Sequence, residues 1–339
     1  MCHLIYTDTF YMKRKWIRWV SWILLTPIIL FVILMVLLYV PPVQNLLRRE
    51  VTAYASKATG MQIQVERIDL RFPLNLLVRG VEVIQQPDTL LSLESLNVRV
   101  QAWPLIKGKV EVDEVTLSRV AVNSADLMEG MKIKGVLGRF FLQSHGVDLS
   151  NELAVINQVE LSDTHVQLLM NDTTTTPKDT TASAPINWKV ALHQLKLKNV
   201  SFSMQLPADS MRMAAHIGEA AIDDAQADLK NQYYDLKKFL LSGTSASYDT
   251  GTAQPAEGFD ASHIAVRDIR IALDSLLYKG RDMNAVIREF TMNERSGLSV
   301  TSLTGRAYSN DSVICVPGLK LNTPHSEIDL SAHTYWELV

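Results

Sequence analysis

The residues able to do chemistry are scattered rather than grouped. Eight histidines (His3, His145, His165, His193, His216, His263, His325 and His333) contain no H-x-x-x-H pair, and none shares a short motif with a cysteine or with paired carboxylates. A zinc hydrolase needs such a set on one face of an element, so that chemistry has no support here. The nucleophile elbow G-x-S-x-G, the phosphate-binding P-loop and the dinucleotide motif G-x-G-x-x-G are all absent. Cys2 and Cys315 flank a long apolar segment from opposite sides and are not expected to pair. With 33 basic against 36 acidic residues there is no cationic excess to release counterions from nucleic acid. No catalytic residue, metal site or cofactor is therefore assigned. The Asp and Glu residues that alternate with apolar positions read as a solvated face. Arg67, Arg71 and Arg79 read the same way, with contact to anionic head groups as the alternative.

What the chain does have is organisation. It is 47% hydrophobic with a net charge of only −3, a composition that folds. Trp19 to Val40 (WVSWILLTPIILFVILMVLLYV) holds no charged residue, and its about 22 residues at 1.5 Å each match a bilayer core of about 30 Å. Trp16, Trp19 and Trp22 mark one interface and Tyr39 the other. Lys13, Arg14, Lys15 and Arg18 crowd the N-terminal flank, so the positive-inside rule places residues 1–18 in the cytoplasm and the bulk of the chain across the membrane. The run is too long for a signal-peptide core and ends in Tyr-Val-Pro-Pro rather than small residues, so a retained anchor is expected.

After Pro41 and Pro42, apolar residues at three- and four-residue steps predict an amphipathic helix over 43–60, stopped at Gly60. From Met61 the helical period gives way to short segments rich in Val, Ile, Leu and Thr. They share a phrase, apolar-x-x-apolar-x-apolar. It occurs at Val65, Ile68, Leu70; Val78, Val81, Val83; Leu93, Leu96, Val98; Val112, Val115, Leu117; and Ile156, Val159, Leu161. It continues at Leu192, Leu195, Leu197; Val266, Ile269, Ile271; Ile287, Phe290, Met292; and Val316, Leu319, Leu321. A flat strand alternates at period two, so a three-residue step moves the apolar set to the other face unless a bulge or bend absorbs one residue. Repetition of that device predicts a mainly β chain over 61–339: an elongated, curved, repetitive and mostly antiparallel sheet. Loops are expected at 171–185, a Thr/Ser/Pro tract, and at 242–258, rich in small residues, while Ala220–Leu241 leaves room for a short helix. An apolar phrase is under way at the final HTYWELV, which reads as a piece of a longer protein.

The order of these pieces carries a resemblance. An anchor ending YVPPVQNLL, a helix ending KATG, then MQIQVERIDLRFPLNLLVRGVEV and LLSLESLNVRVQAWPLIKGKVEVDEVTLSRVAVN resemble the N-terminal part of the AsmA-like superfamily, in particular its translocation and assembly module (TamB-type) group. The likeness covers residues 12–125 and rests on patterning. It implies a sheet curled into a taco-like groove, anchored in the inner membrane and lying in the periplasm. Its expected task is outer-membrane biogenesis, as a conduit for phospholipid between the two membranes. The alternative is a scaffold for assembling outer-membrane proteins with a TamA-type barrel partner. An anchored receptor with a closed sandwich is a third reading. The candidate lipid contacts are the phrase positions themselves: Val112, Val115, Leu117, Ile156, Val159, Leu161, Leu192, Leu195, Leu197, Ile269 and Ile271.

Overall fold

The computed structural model describes residues 39–72, 74–101, 103–104, 111–125, 127, 130–148, 151–170, 187–280 and 282–335, with Thr26, Ile29 and Val36 as isolated helical positions. No helix among the described residues is long and apolar enough to cross a membrane. The apolar run 19–40, with the topology-setting charges Lys13, Arg14, Lys15 and Arg18, falls largely outside them, as does the tract 171–185.

The helix predicted over 43–60 is α1 (Pro41–Thr59). Val40 is extended, Pro41 and Pro42 occupy the first turn where no amide partner is needed, and Gly60 closes the helix in the left-handed region at φ 70°. Then follow β1 (Gln62–Arg71), β2 (Asn75–Gln85), β3 (Asp88–Val100), β4 (Val112–Asn123), β5 (Met131–Asp148), β6 (Leu153–Met170), β7 (Lys189–Leu206) and β8 (Met211–Asp228). The series ends with β9 (Tyr233–Asp249), β10 (His263–Lys279), β11 (Asp282–Glu294), β12 (Ser299–Val300), β13 (Ser302–Ser309), β14 (Val313–Asn322) and β15 (Glu327–Tyr335).

All fifteen strands belong to one open sheet in which spatial order follows chain order; β12 is a short addition to β11. Neighbours are antiparallel except β6 and β7, which run parallel with Leu153 beside Lys189. The sheet is a single layer. Its accessible surface is 23,920 Å², against about 14,000 Å² for a compact chain of this mass. Among the described residues no large side chain is fully buried, and the buried apolar set is only seven residues, three of them alanine. Stability therefore comes from strand pairing and cross-strand contacts, each strand leaning only on its neighbours.

The two margins of the sheet differ. α1 lies along β1 and serves its free backbone groups: Gln44 Nε2 donates to the Leu70 carbonyl at 2.9 Å and Arg48 Nη1 to that of Glu66 at 2.8 Å. Ser56 Oγ accepts the Ile63 amide at 3.1 Å. That edge is closed to further pairing. At the other margin all nine residues of β15 are exposed.

Two transverse creases explain the three-residue steps. Along the first, Gly80, Arg119, Asp163, Asn199, Gly243 and Asp268 all take left-handed backbone angles, with φ between 48° and 60°. They stand at one register: Gly80 is bracketed by Val81↔Leu93 and Arg79↔Ser95, Arg119 by Leu93↔Val120 and Ser95↔Ser118, and Asp163 by Leu137↔Thr164 and Arg139↔Ser162. Opposite several of them the partner strand has no room for a side chain. A Cβ on Gly138 would lie 2.7 Å from the Cβ of Asp163, and one on Gly218 would lie 2.8 Å from the Gly243 carbonyl oxygen. Polar side chains line this crease, with Arg119 paired to Glu94 and Asn199 Nδ2 donating to Asp163 Oδ1 at 2.8 Å. The second crease is a row of register shifts, at Arg99/Val100 between β3 and β4 and at Gln143/Ser144 between β5 and β6. Asp224, at φ 53°, continues it with its carboxylate 3.0 Å from His193 Nδ1. Each crease absorbs one residue of alternation and returns the apolar set to its original face.

Two sequence expectations are corrected. Residues 242–258 are not a single loop: β9 continues to Asp249 and the connection covers 250–262. Ser242 and Gly243 sit at the first crease, where their carbonyl oxygens closely approach Gly218 and Gly243 takes a left-handed backbone angle. Nor does 220–241 hold a helix. It is the end of β8 and most of β9, joined by a turn at 229–232 that Asn231 fixes with two bonds to the Asp228 carboxylate.

The 250–262 connection has its own tether. Asp260 accepts the Ala256 amide at 3.0 Å and the Ser262 amide at 2.9 Å, with His263 Nδ1 at 2.9 Å. The Ala256 amide, then the His263 and Ser262 contacts, hold its carboxyl down at about 2 from an ordinary 3.8. A depressed carboxylate stabilises the folded form fully above its ordinary value and loses that effect as the pH falls through the folded one. Asp260→Asn is therefore expected to speed hydrogen exchange at the Ala256 and Ser262 amides at neutral pH. The wild-type tether should weaken only between about pH 4 and about pH 2. Equal protection in both proteins at neutral pH would show that the carboxylate does not hold the connection.

Candidate functional site

The creases assemble the apolar phrases into rows that cross the sheet. Directly paired residues on neighbouring strands point to the same face. One row runs Ile68, Val78, Leu96, Leu117, Phe140, Leu161, Leu197, Ala220, Leu241, Ile271 and Phe290, from β1 to β11 without a polar residue. Two residues along each strand (three on β11, at a register shift), on the same face, runs a second: Leu70, Leu76, Val98, Val115, Leu142, Val159, Leu195, Ile222, Phe239, Leu273 and Ile287. Across the second crease Val100 pairs with Val112, and Ile156, Leu192, Ala225, Leu236 and Leu276 form a third row. β5 links these three rows, since Phe140, Leu142 and Ser144 alternate along one strand face.

Beyond the first crease the series resumes with Val65, Val81, Leu93, Val120 and Leu137, then with Ile63, Val83, Leu91 and Val122. On β6 no member of this face is exposed, whereas the opposite face is exposed at 153, 155, 165 and 167 and half-buried at 158, 160 and 162.

The opposite face is different. The row one residue removed from the first reads Arg67, Arg79, Ser95, Ser118, Arg139, Ser162, Lys198, Glu219 and Ser242, with no apolar member. The row between the two apolar ones is mixed and includes Asp69, Asn97, Thr116, Glu160, Lys196 and Glu289. Ten strand spacings of about 4.8 Å, by about 30 Å along the strands, make an apolar face of about 1,500 Å². Ordinary monomer surfaces carry apolar patches of a few hundred Å². No element among the described residues packs over this one.

No known family model matches the chain, and no curated protein does. The face must therefore be judged on its own chemistry. It presents side-chain carbon and no catalytic constellation. Several histidines make local polar contacts, as His145 does with Asn157 at 2.9 Å and His216 Nδ1 with Ser201 Oγ at 2.9 Å. Among the described residues no three His, Cys, Asp or Glu side chains are grouped as a metal ion would need.

The eleven residues singled out from the sequence come together. Leu117, Leu161, Leu197 and Ile271 stand in the first row, Val115, Val159 and Leu195 in the second, and Val112, Ile156 and Leu192 in the third. Ile269 pairs with Thr244 just past the first crease. Sequence reasoning missed Phe140, Leu142, Ile222, Phe239 and Leu241 in the same rows. The signal was present: Leu137-Gly-Arg-Phe140-Phe-Leu142 and Leu236-Lys-Lys-Phe239-Leu-Leu241 repeat the phrase. Of the interface aromatics, Tyr39 is described, with its ring 6.4 Å from that of Phe72; Trp16, Trp19 and Trp22 lie outside the described residues.

Proposed function

We propose that this chain is a membrane-anchored conduit for phospholipid acyl chains, of the AsmA-like, TamB-type kind. It would sit in the inner membrane through residues 19–40 and work in the periplasm on outer-membrane biogenesis. One observation carries the reading: the two unbroken apolar rows cross eleven strands in the stacking direction, on a face over which the described residues place no second layer. The path leads away from β1, the strand held by α1 and thus next to the apolar run. An acyl chain laid along a row would remove CH₂ groups from water at about 0.8 kcal/mol each. No single residue need confer specificity, in keeping with a site built only of Val, Leu, Ile, Phe and Ala. No enzymatic step is required.

The test places a photo-crosslinking amino acid at Leu161 and Leu195 in the full-length protein in cells, with Glu160 and Lys196 on the opposite face as controls. Phospholipid adducts at the first pair alone are expected. Equal labelling at both pairs, or none at either, would remove the reading.

The scaffold alternative, assembly of outer-membrane proteins with a TamA-type partner, predicts peptide rather than lipid adducts at these sites. The receptor reading requires a second sheet layer, and the described residues form one.

A further inference from the structure

We infer that the turns after β1 and β3 seat the sheet in the interfacial zone of a lipid bilayer, through Phe72 and Trp103. This rests on the reading of residues 19–40 as a membrane anchor and adds to it where the folded part meets the lipid. Phe72 is 83% exposed and Trp103 69% exposed, among the largest exposures of any aromatic side chain described. Both belong to one margin. The Val100 amide donates to the Leu74 carbonyl at 3.0 Å, which sets the end of β3 beside the β1–β2 turn, and Trp103 follows three residues later. The anchor's end is at the same place: the ring of Tyr39 meets that of Phe72 at 6.4 Å, and Gln44 of the first turns of α1 bonds the Leu70 carbonyl. Exposed Arg71, one residue before Phe72, adds a cation at head-group level.

Later turns on this margin are built differently. Asp148 and Asn151 close the β5–β6 turn at 2.8 Å, and Asp228 with Asn231 closes the β8–β9 turn at 2.8 Å. Tyr234, Tyr278 and Tyr335 are also exposed on this margin, but they stand on β9, β10 and β15, far from the anchor. Sheet twist turns such later strand ends away: at about 20–25° per strand, the end of β5 already points about 80–100° away from that of β1. Only the first strands can face a bilayer end-on. Aromatic rings at a water–lipid boundary are favoured because one side is apolar and the other tolerates water. The seat would also bring Leu70, Leu76, Val98 and Val115, the first four members of the second apolar row, next to the lipid.

The experiment uses the full chain with Cys2→Ser and Cys315→Ser, reconstituted in phosphatidylethanolamine/phosphatidylglycerol vesicles. Single cysteines replace Phe72, Trp103, Asn151 or Gln86, the last in the β2–β3 turn on the opposite margin, and carry an environment-sensitive fluorophore. Lipid-borne spin labels are expected to quench the probes at 72 and 103 several-fold more than those at 86 and 151. Equal quenching at all four sites overturns the proposal. Alkaline carbonate extraction separates the two ways to fail. A chain retained in the membrane with unquenched probes at 72 and 103 loses only the seating. A chain released into the supernatant loses the anchor with it.

Discussion

Changing Leu195 and Leu197 together to aspartate is expected to cut the phospholipid that copurifies with the protein by about tenfold or more, while the sheet still forms. Each leucine offers about 1.5–3 kcal/mol of apolar contact, and a carboxylate facing an acyl chain must be desolvated without a partner. Either effect alone is worth a factor of ten per residue. The fold should survive because neither residue is part of a packed core; both are only half-buried members of a single layer. Lys196→Leu, between them on the opposite face, is the matched control and should leave the lipid content unchanged. Circular dichroism of the double variant checks that the strands persist. Unchanged lipid in a folded Leu195→Asp/Leu197→Asp protein would mean that lipid does not use this face, and the scaffold reading would then lead.

The sequence made the face legible for a specific reason. Its phrase records a physical event, a strand bending once per crease, so the three-residue step and the two-residue step could both be seen in Val112-Val115-Leu117 or Ile156-Val159-Leu161 before any pairing was known. The phrase alone does not say whether the gap residues form turns or bulges. The answer depends on pairs across strands: Asp163 is left-handed because Gly138 opposite leaves space for it, and those positions are 25 residues apart in the chain. The same ambiguity underlies the difference at 242–258. Ser242-Gly-Thr-Ser has loop composition, yet the small residues serve a backbone approach between β8 and β9. β8 was hard to see because Ala220 and Ala225 take places that Leu or Ile hold elsewhere, weakening the phrase and imitating a helix. The parallel pairing of β6 with β7 leaves alternation unchanged, and its one trace in the sequence is length: a parallel neighbour needs a connection of about a dozen residues or more, and 171–188 separate these strands.

The crease makes the second large prediction. Gly218→Ala is expected to open the seam between β8 and β9 and to destabilise that part of the sheet by about 1–3 kcal/mol. The three atoms nearest the added carbon would all be backbone of β9: the Gly243 oxygen at 2.8 Å, the Ser242 oxygen at 3.0 Å and the Gly243 carbonyl carbon at 3.2 Å. None of these can rotate away as a side chain would. Gly135→Ala is the control, because its new carbon would be 3.4 Å from the His165 oxygen, a contact that small shifts relieve. Since each strand touches only its neighbours, the damage should stay local. Hydrogen exchange should rise in β8 and β9 and remain unchanged in β2 to β5. The functional consequence should not be local. A conduit is a path in series, so an opened seam interrupts every row at one point. Photo-adducts at Leu161, on the anchor side of the seam, should persist, and those at Ile271, beyond it, should fall several-fold. Equal loss at both positions would indicate that lipid binds as a single pool over the whole face, and equal retention would indicate that it reaches β10 without passing β8.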